Sequence, residues 1–432
     1  MSHGSDVSLG TFAFEEQAPR AIAPDSDARI DLPLDSKRSR KAVFTTMSTH
    51  EALLEQARSG DSNAQARLGL AFLRGDQVDK DLTAAFEWLS RAAAQGHAEA
   101  HYELGKYHEL DLSYEHDLAR AMTHYHQAAE LGFAKAQYWL GVCYLRGSGV
   151  TLDTSRGVAL LKSAADQNEP NACFSLGTRQ LDGEGVEANE VEAVRYLTIA
   201  AAQNNAFACF RLAECFDQGR GVEPAPEKSI SYARKAAELG HAGAQYWMGL
   251  CYRHGKSVEW NPFQAVKYFR LAAEQDDDDA IYELATCLEK GEGTARNLEE
   301  AARLYTRGAE AGLPAAQHDL GRCLLQGIGV EPFAPEAVLW ILNAAEQDYV
   351  PSMLLYGFCL KRGEGLEASA TEAVRWFKKA ASFDNADAHV NLGLCYLSGD
   401  GGGERRIESH RSLRDRGAIG RCRRVGRAWA LS

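Results

Sequence analysis

Residues 136–168 read AQYWLGVCYLRGSGVTLDTSRGVALLKSAADQN, and their spacing decides the fold. Ala136, Leu140, Cys143 and Tyr144 fall at i, i+4, i+7 and i+8, one face of an α-helix. Gly147 and Gly149 interrupt it, because glycine accepts the positive φ needed at a helix C-terminus and in the turn beyond. A second helix follows. Its equivalent earlier in the chain, residues 85–93, has apolar Ala85, Trp88, Leu89, Ala92 and Ala93 at i, i+3, i+4, i+7 and i+8, and Gly96 ends it. The unit is an antiparallel helical hairpin.

The same unit recurs in both directions. Stepping by thirty-six residues from Leu68-Gly69 meets Leu104-Gly105, Leu140-Gly141, Leu176-Gly177, Leu212-Ala213, Met248-Gly249, Leu284-Ala285, Leu320-Gly321, Tyr356-Gly357 and Leu392-Gly393 without insertion or deletion. A strict period of this length marks a solenoid, each repeat stacked on its neighbours, and predicts an all-α chain. Gly pairs follow the first helix at Gly183/Gly185, Gly219/Gly221, Gly291/Gly293, Gly327/Gly329 and Gly363/Gly365. An Ala-Ala pair marks the second helix, from Ala92-Ala93 to Ala380-Ala381, and lets helices approach closely. Trp88, Tyr196, Tyr232, Tyr268, Trp340 and Trp376 are expected to fill the space beside those alanines.

Composition agrees. No apolar run is long enough to span a bilayer, and the start, MSHGSDVSLGTFAFEEQAPR, lacks a signal-peptide core, so a cytoplasmic or nuclear chain is expected. The net charge is −13. Residues 404–432 hold nine Arg against Glu404, Glu408 and Asp415, which is +6, so the rest carries −13 − 6 = −19. That disfavours nucleic acid along the helical part. Cys143, Cys215, Cys251, Cys287, Cys323, Cys359 and Cys395 share one column of the repeat, and Cys173 and Cys209 share another. Once-per-repeat spacing reads as reduced thiols packed in the core, not as disulfides.

The pattern Ala-x-x-x-Leu-Gly-x-x-Tyr, Gly-x-Gly-Val, then Ala-x-x-Trp/Tyr-x-x-x-Ala-Ala-x-x-Gly resembles the Sel-like repeat, a relative of the tetratricopeptide repeat, over about residues 64–400. The resemblance implies a right-handed α-solenoid acting as an adaptor in protein complexes. Two turns depart from it: residues 110–113, LDLS, replace one Gly pair, and Lys256-Ser257 follow Gly255, so distorted turns are expected there. Bacterial secreted members of the family pair cysteines within each hairpin, a pattern absent here.

The solenoid is assigned to 47–402. Residues 49–60 keep the repeat phase, with Ala57 thirty-six before Ala93, and read as a capping helix. Residues 1–46 are polar and aperiodic and read as disordered, Lys37-Arg38-Ser39-Arg40-Lys41 being a solvated charge run or an import signal. Residues 403–432 abandon the repeat. They read as non-homologous sequence at a misannotated gene end, or as a basic nucleic-acid-binding arm.

No motif carries chemistry. The Gly-x-Gly turns follow helices, not strands, so they are no phosphate loop. No cysteine pair has zinc-finger spacing, and Asp276–Asp279 lack the spaced ligands of a calcium loop. No enzyme, cofactor, metal or small-molecule substrate is expected. What remains is surface. Three residues before the repeat glycine stand Ala66, Tyr102, Tyr138, Phe174, Phe210, Tyr246, Tyr282, His318, Leu354 and Val390, aromatic in six consecutive repeats. One residue after it, the column is variable: Leu70, Lys106, Val142, Thr178, Glu214, Leu250, Thr286, Arg322, Phe358, Leu394. The aromatic column either packs between repeats or lines an inner, concave groove with Trp139 and Trp247, where aromatics anchor partners. A non-catalytic adaptor that binds proteins or peptides is therefore expected. The alternatives are a secreted or envelope-associated regulator, and a fragment of a larger enzyme.

Overall fold

In the computed structural model, which describes residues 51–109 and 118–399, every regular element is an α-helix. The helices fall in two compact units divided after Leu239. The first holds α1 (51–58), α2 (Ser62–Arg74), α3 (Leu82–Ala94), α4 (Ala98–Glu109), α5 (Leu118–Glu130), α6 (Ala134–Arg146), α7 (Thr154–Asp166), α8 (Pro170–Asp182), α9 (Glu190–Ala202), α10 (Ala206–Gln218) and α11 (Pro226–Glu238). The second holds α12 (Ala242–His254), α13 (Pro262–Ala273), α14 (Asp278–Lys290), α15 (Leu298–Glu310), α16 (Pro314–Gln326), α17 (Ala334–Glu346), α18 (Val350–Arg362), α19 (Ala370–Ala381) and α20 (Ala386–Ser398). Even-numbered helices are the first of each hairpin. Within each unit, from α2 onward, every helix packs on the next.

Local chemistry sets the ends. Asp61, Asn205, Asp277 and Asn385 cap first helices by accepting the backbone N–H three residues on, and Asp153, Asn189, Asn261 and Asn297 do so for second helices. First helices close on a left-handed glycine such as Gly147 (φ 70°). The turn is then tied by a bond from the cap of the second helix back to the first, as in Asn297 N to Leu288 O at 3.0 Å. The second turn glycine has an added reason to be glycine: a Cβ on Gly329 would lie 2.0 Å from the Leu298 carbonyl oxygen of the preceding hairpin. The turn after Gly255 is not distorted. Ser257 holds the left-handed conformation of the missing glycine, φ 58°. The LDLS turn at 110–113 lies outside the described residues, as do residues 1–50 and 400–432.

The core runs along the hairpins as repeated columns. The residue that fills the space beside the alanines is one position beyond the expected Trp/Tyr column. Leu89, Tyr125, Leu161, Leu197, Phe269, Tyr305, Ile341 and Phe377 are wholly buried; of the expected column Tyr196 is buried as well, whereas Trp88, Tyr232, Tyr268, Trp340 and Trp376 are only half-buried. All of the wholly buried side chains but Tyr305, whose hairpin has Ala285 there, lie on the repeat glycine of their own hairpin, the Phe269 ring over Gly249 and Leu89 over Gly69. Ala57 of α1 is buried and its carbonyl accepts from Gln65 Nε2 at 3.0 Å, so the leading helix docks as a cap. The nine described cysteines are all free and buried.

Candidate functional site

The repeat glycine turns one side of each first helix into its own hairpin, which fixes where the neighbouring columns go. The aromatic column falls in the seam between its own second helix and the next first helix. Tyr102 lies 5.7 Å from the Tyr125 ring and 5.2 Å from Phe133. Phe174 lies 5.8 Å from Phe207. Tyr246 lies 6.1 Å from Phe269, and Tyr282 lies 5.9 Å from Tyr305 while donating its hydroxyl proton to Asp319 Oδ2 at 3.1 Å. Such ring pairs contribute about 0.5–1.5 kcal/mol beyond their burial.

Tyr102, Tyr138, Trp139, Phe174, Tyr246 and Tyr282 keep part of each side chain in solvent. Phe210, at 2 % exposure, and Trp247, at 5 %, do not, and belong to the interior. Trp139 stacks 3.9 Å from Tyr125 of the preceding hairpin. Burial pushes the hydroxyls of Tyr102, Tyr246 and Tyr282 above the ordinary phenol range, and nearby carboxylates add to it. These phenols stay protonated, as donors.

A polar column, which helical spacing alone does not single out, lies two residues before the repeat glycine. Glu103, Arg211 and Asp319 pair with Lys106, Glu214 and Arg322 of the variable column, three residues on. In the first unit Arg211 also reaches Asp182 at 2.9 Å, and Arg220 bonds Glu190 Oε1 at 3.1 Å and the Leu181 carbonyl at 2.6 Å. In the second, Arg253 pairs with Glu283 and with Glu292. Arg322 clamps Glu289 through 2.7 and 2.8 Å bonds, and Tyr305 donates to the same carboxylate at 2.8 Å. The sequence signal was present, since acid and base alternate at i, i+3, but it is scattered over different repeats.

Asp276–Asp279 are helix-end chemistry. Asp277 caps α14, accepting from Ala280 N at 2.9 Å, and Asp276 pairs with Arg307. Among the described residues no group of three or more His, Cys, Asp or Glu side chains could hold a metal ion. No described helix is long and apolar enough to cross a membrane. The arrangement offers half-buried rings with polar neighbours that differ from repeat to repeat, a surface suited to contact.

Comparison with known proteins identifies the repeat. The Sel1 repeat model matches ten times, at 62–97, 98–133, 134–169, 170–205, 206–241, 242–277, 278–313, 314–349, 350–382 and 386–406. The chain is similar to the structure of c5321, described as a protective antigen present in uropathogenic Escherichia coli strains displaying an SLR fold: 30 % identity over 88 % of this chain and 91 % of that one, TM-score 0.54. It is also similar to a Sel1 repeat protein from Oxalobacter formigenes, at 25 % identity over 86 % and 97 % of the two chains, TM-score 0.49. No curated protein matches.

Proposed function

The chain belongs to the Sel1 repeat family, and we propose that it is a non-catalytic scaffold that holds partner proteins on the seam face of its first helices. Sel1 repeat proteins are in general protein-interaction scaffolds and typically not enzymes. The observation that carries the reading here is the set of partly exposed rings, Tyr102, Tyr138 and Phe174 in the first unit and Tyr246 and Tyr282 in the second, beside a column whose residue type varies from repeat to repeat. Rings supply buried area at low entropic cost, and the varied column supplies selectivity. The partners are other proteins or peptides, and a cytoplasmic setting, with the cysteines reduced, is part of the proposal.

The test compares affinity-purified partners of the parent with those of a Tyr138→Ser/Phe174→Ser/Tyr282→Ser variant. Normal helicity with loss of the parent's specific partners is expected. Retention of the same partners by a folded variant overturns the reading, and a collapse in thermal stability assigns the column to packing alone. The likeness to the protective antigen favours a second reading, an envelope-associated or secreted protein. Cell fractionation separates the two.

A further inference from the structure

The second repeat carries a histidine cluster unlike anything in the other described repeats. His101 of α4 occupies the position held by Gln65, Gln137, Gln245 and Gln317 elsewhere, four residues before the repeat glycine. Its Nδ1 lies 3.0 Å from Nδ1 of His124 on α5. His124 in turn stacks on His108 of α4, rings 5.7 Å apart and 4° from parallel, and His108 meets the edge of Phe86 from α3.

At 3.0 Å one ring donates its Nδ1 proton and the other accepts on an Nδ1 lone pair, so the contact closes only while the accepting ring is neutral. A proton added to the accepting nitrogen would set two N–H groups against each other at hydrogen-bond distance. Around the pair the charged or titratable groups acting on it are other histidines. His97, at the start of α4, acts on His101, and His101 and His108 act on His124. From α2, Asn63 bonds His97. From α3 the Phe86 ring meets His108, and α6 presents Tyr144 to His126.

We propose that the His101–His124 pair is an acid-sensitive latch between α4 and α5, closed near neutral pH and released on acidification. The next residue on each helix leads to the candidate face: Tyr102, which lines it, follows His101, the buried Tyr125 follows His124, and these two rings pack together. Tyr125 also carries Trp139. Opening the latch loosens the first of the seams. That regulatory consequence rests on the scaffold reading; the latch itself does not.

The direction is set by burial, which lowers both rings. His124 falls to about 4, by burial first and then by His101 and His108. A neutral histidine in the fold and an ordinary one when exposed give stability that is complete above about pH 6.5 and lost as pH falls toward 4. At pH 5 His124 alone shifts local opening by about 30-fold.

The experiment is hydrogen exchange of the full chain at pH 7.5 and 5.0, corrected for intrinsic rates. It follows α4–α5 against α8–α9, a hairpin without histidine. Protection of α4–α5 is expected to fall at least tenfold more than that of α8–α9. A His101→Gln/His124→Leu/Leu131→Gln variant, which copies Gln137, Leu160 and Gln167 of the third repeat, is expected to erase the difference. Equal protection at both pH values in the parent, or equal loss in the variant, overturns the latch. If the variant does not fold, histidine NMR titration of the parent decides. His101 and His124 titrating below about pH 5.5 supports the latch, and either titrating at its ordinary value of about 6.5 overturns it. Loss of protection at pH 5.0 with unchanged partner retention leaves the latch standing and overturns its link to the face.

Discussion

Gln167 Nε2 donates to Gln137 Oε1 at 2.8 Å, while Gln137 Nε2 donates to the Ala129 carbonyl at 3.2 Å. Gln95–Gln65, Gln275–Gln245 and Gln347–Gln317 repeat the side-chain bond at 2.7 to 2.9 Å. Each pair stitches the end of one second helix to the start of its own first helix, and Gln65 and Gln317 pass the bond on to the carbonyl of the preceding second helix. Wherever the inner position is Gln, the outer one is Gln. Where it is Ile281 or Met353, the outer residue is Ala311 or Phe383.

Gln317→Ala is therefore expected to destabilise the second unit by about 1–3 kcal/mol, since it strips a buried carbonyl and the Gln347 amide of their partner together. Gln347→Ala should cost less, its side chain being more exposed, and the double variant should cost less than the sum. Denaturant unfolding of the full set measures the coupling. Additive losses would mean the pair does not act as a unit.

A Cβ on Gly357 would lie 2.5 Å from the Phe377 ring. Gly357→Ala is expected to cost about 1–3 kcal/mol by forcing that wholly buried ring aside. Adding Phe377→Ala should cost less than the two separate losses combined, because the fifth repeat already pairs Ala213 with Ala233 at these positions. Thermal melts of the two singles and the double are the check.

The buried thiols should be inert in the native protein. Burial raises Cys143 to about 12 and Cys215, Cys287, Cys323 and Cys359 to about 11, so almost no thiolate exists near pH 8. Labelling with a thiol reagent at pH 8, read by peptide mass spectrometry, should leave the nine described cysteines unmodified until guanidinium is added. Rapid native labelling of this column would contradict the packing.

Glu289 gives an acid-side prediction. Burial opposes its charge, but the bonds from Arg322 and Tyr305 outweigh it, and its carboxyl is held below the ordinary value of 4.5. A depressed carboxylate stabilises the fold above that value, and the contribution is lost as pH falls through the native one. The parent should thus lose more melting temperature between pH 4.5 and 3 than Glu289→Gln does. Parallel curves would exclude the clamp as a source of stability.

The thirty-six-residue period determined the helices, their order, the turn glycines and the capping helix at 51–58, because each depends on local spacing and backbone preference. It also placed the cysteines in the core. What it could not settle was which of two adjacent columns is buried. One residue on a helix is about 100° of rotation, and the packing of the neighbouring helix decides which side is covered, so Phe377 is enclosed while Trp376 is half in solvent. For the same reason Phe210 and Trp247 fall inside while Tyr102 and Trp139 keep an exposed edge. The glutamine stitches, the Arg322–Glu289 clamp and the His101–His124 contact join residues 23 to 33 positions apart. Those meetings exist only once hairpins close and stack, and the tertiary structure alone brings them about.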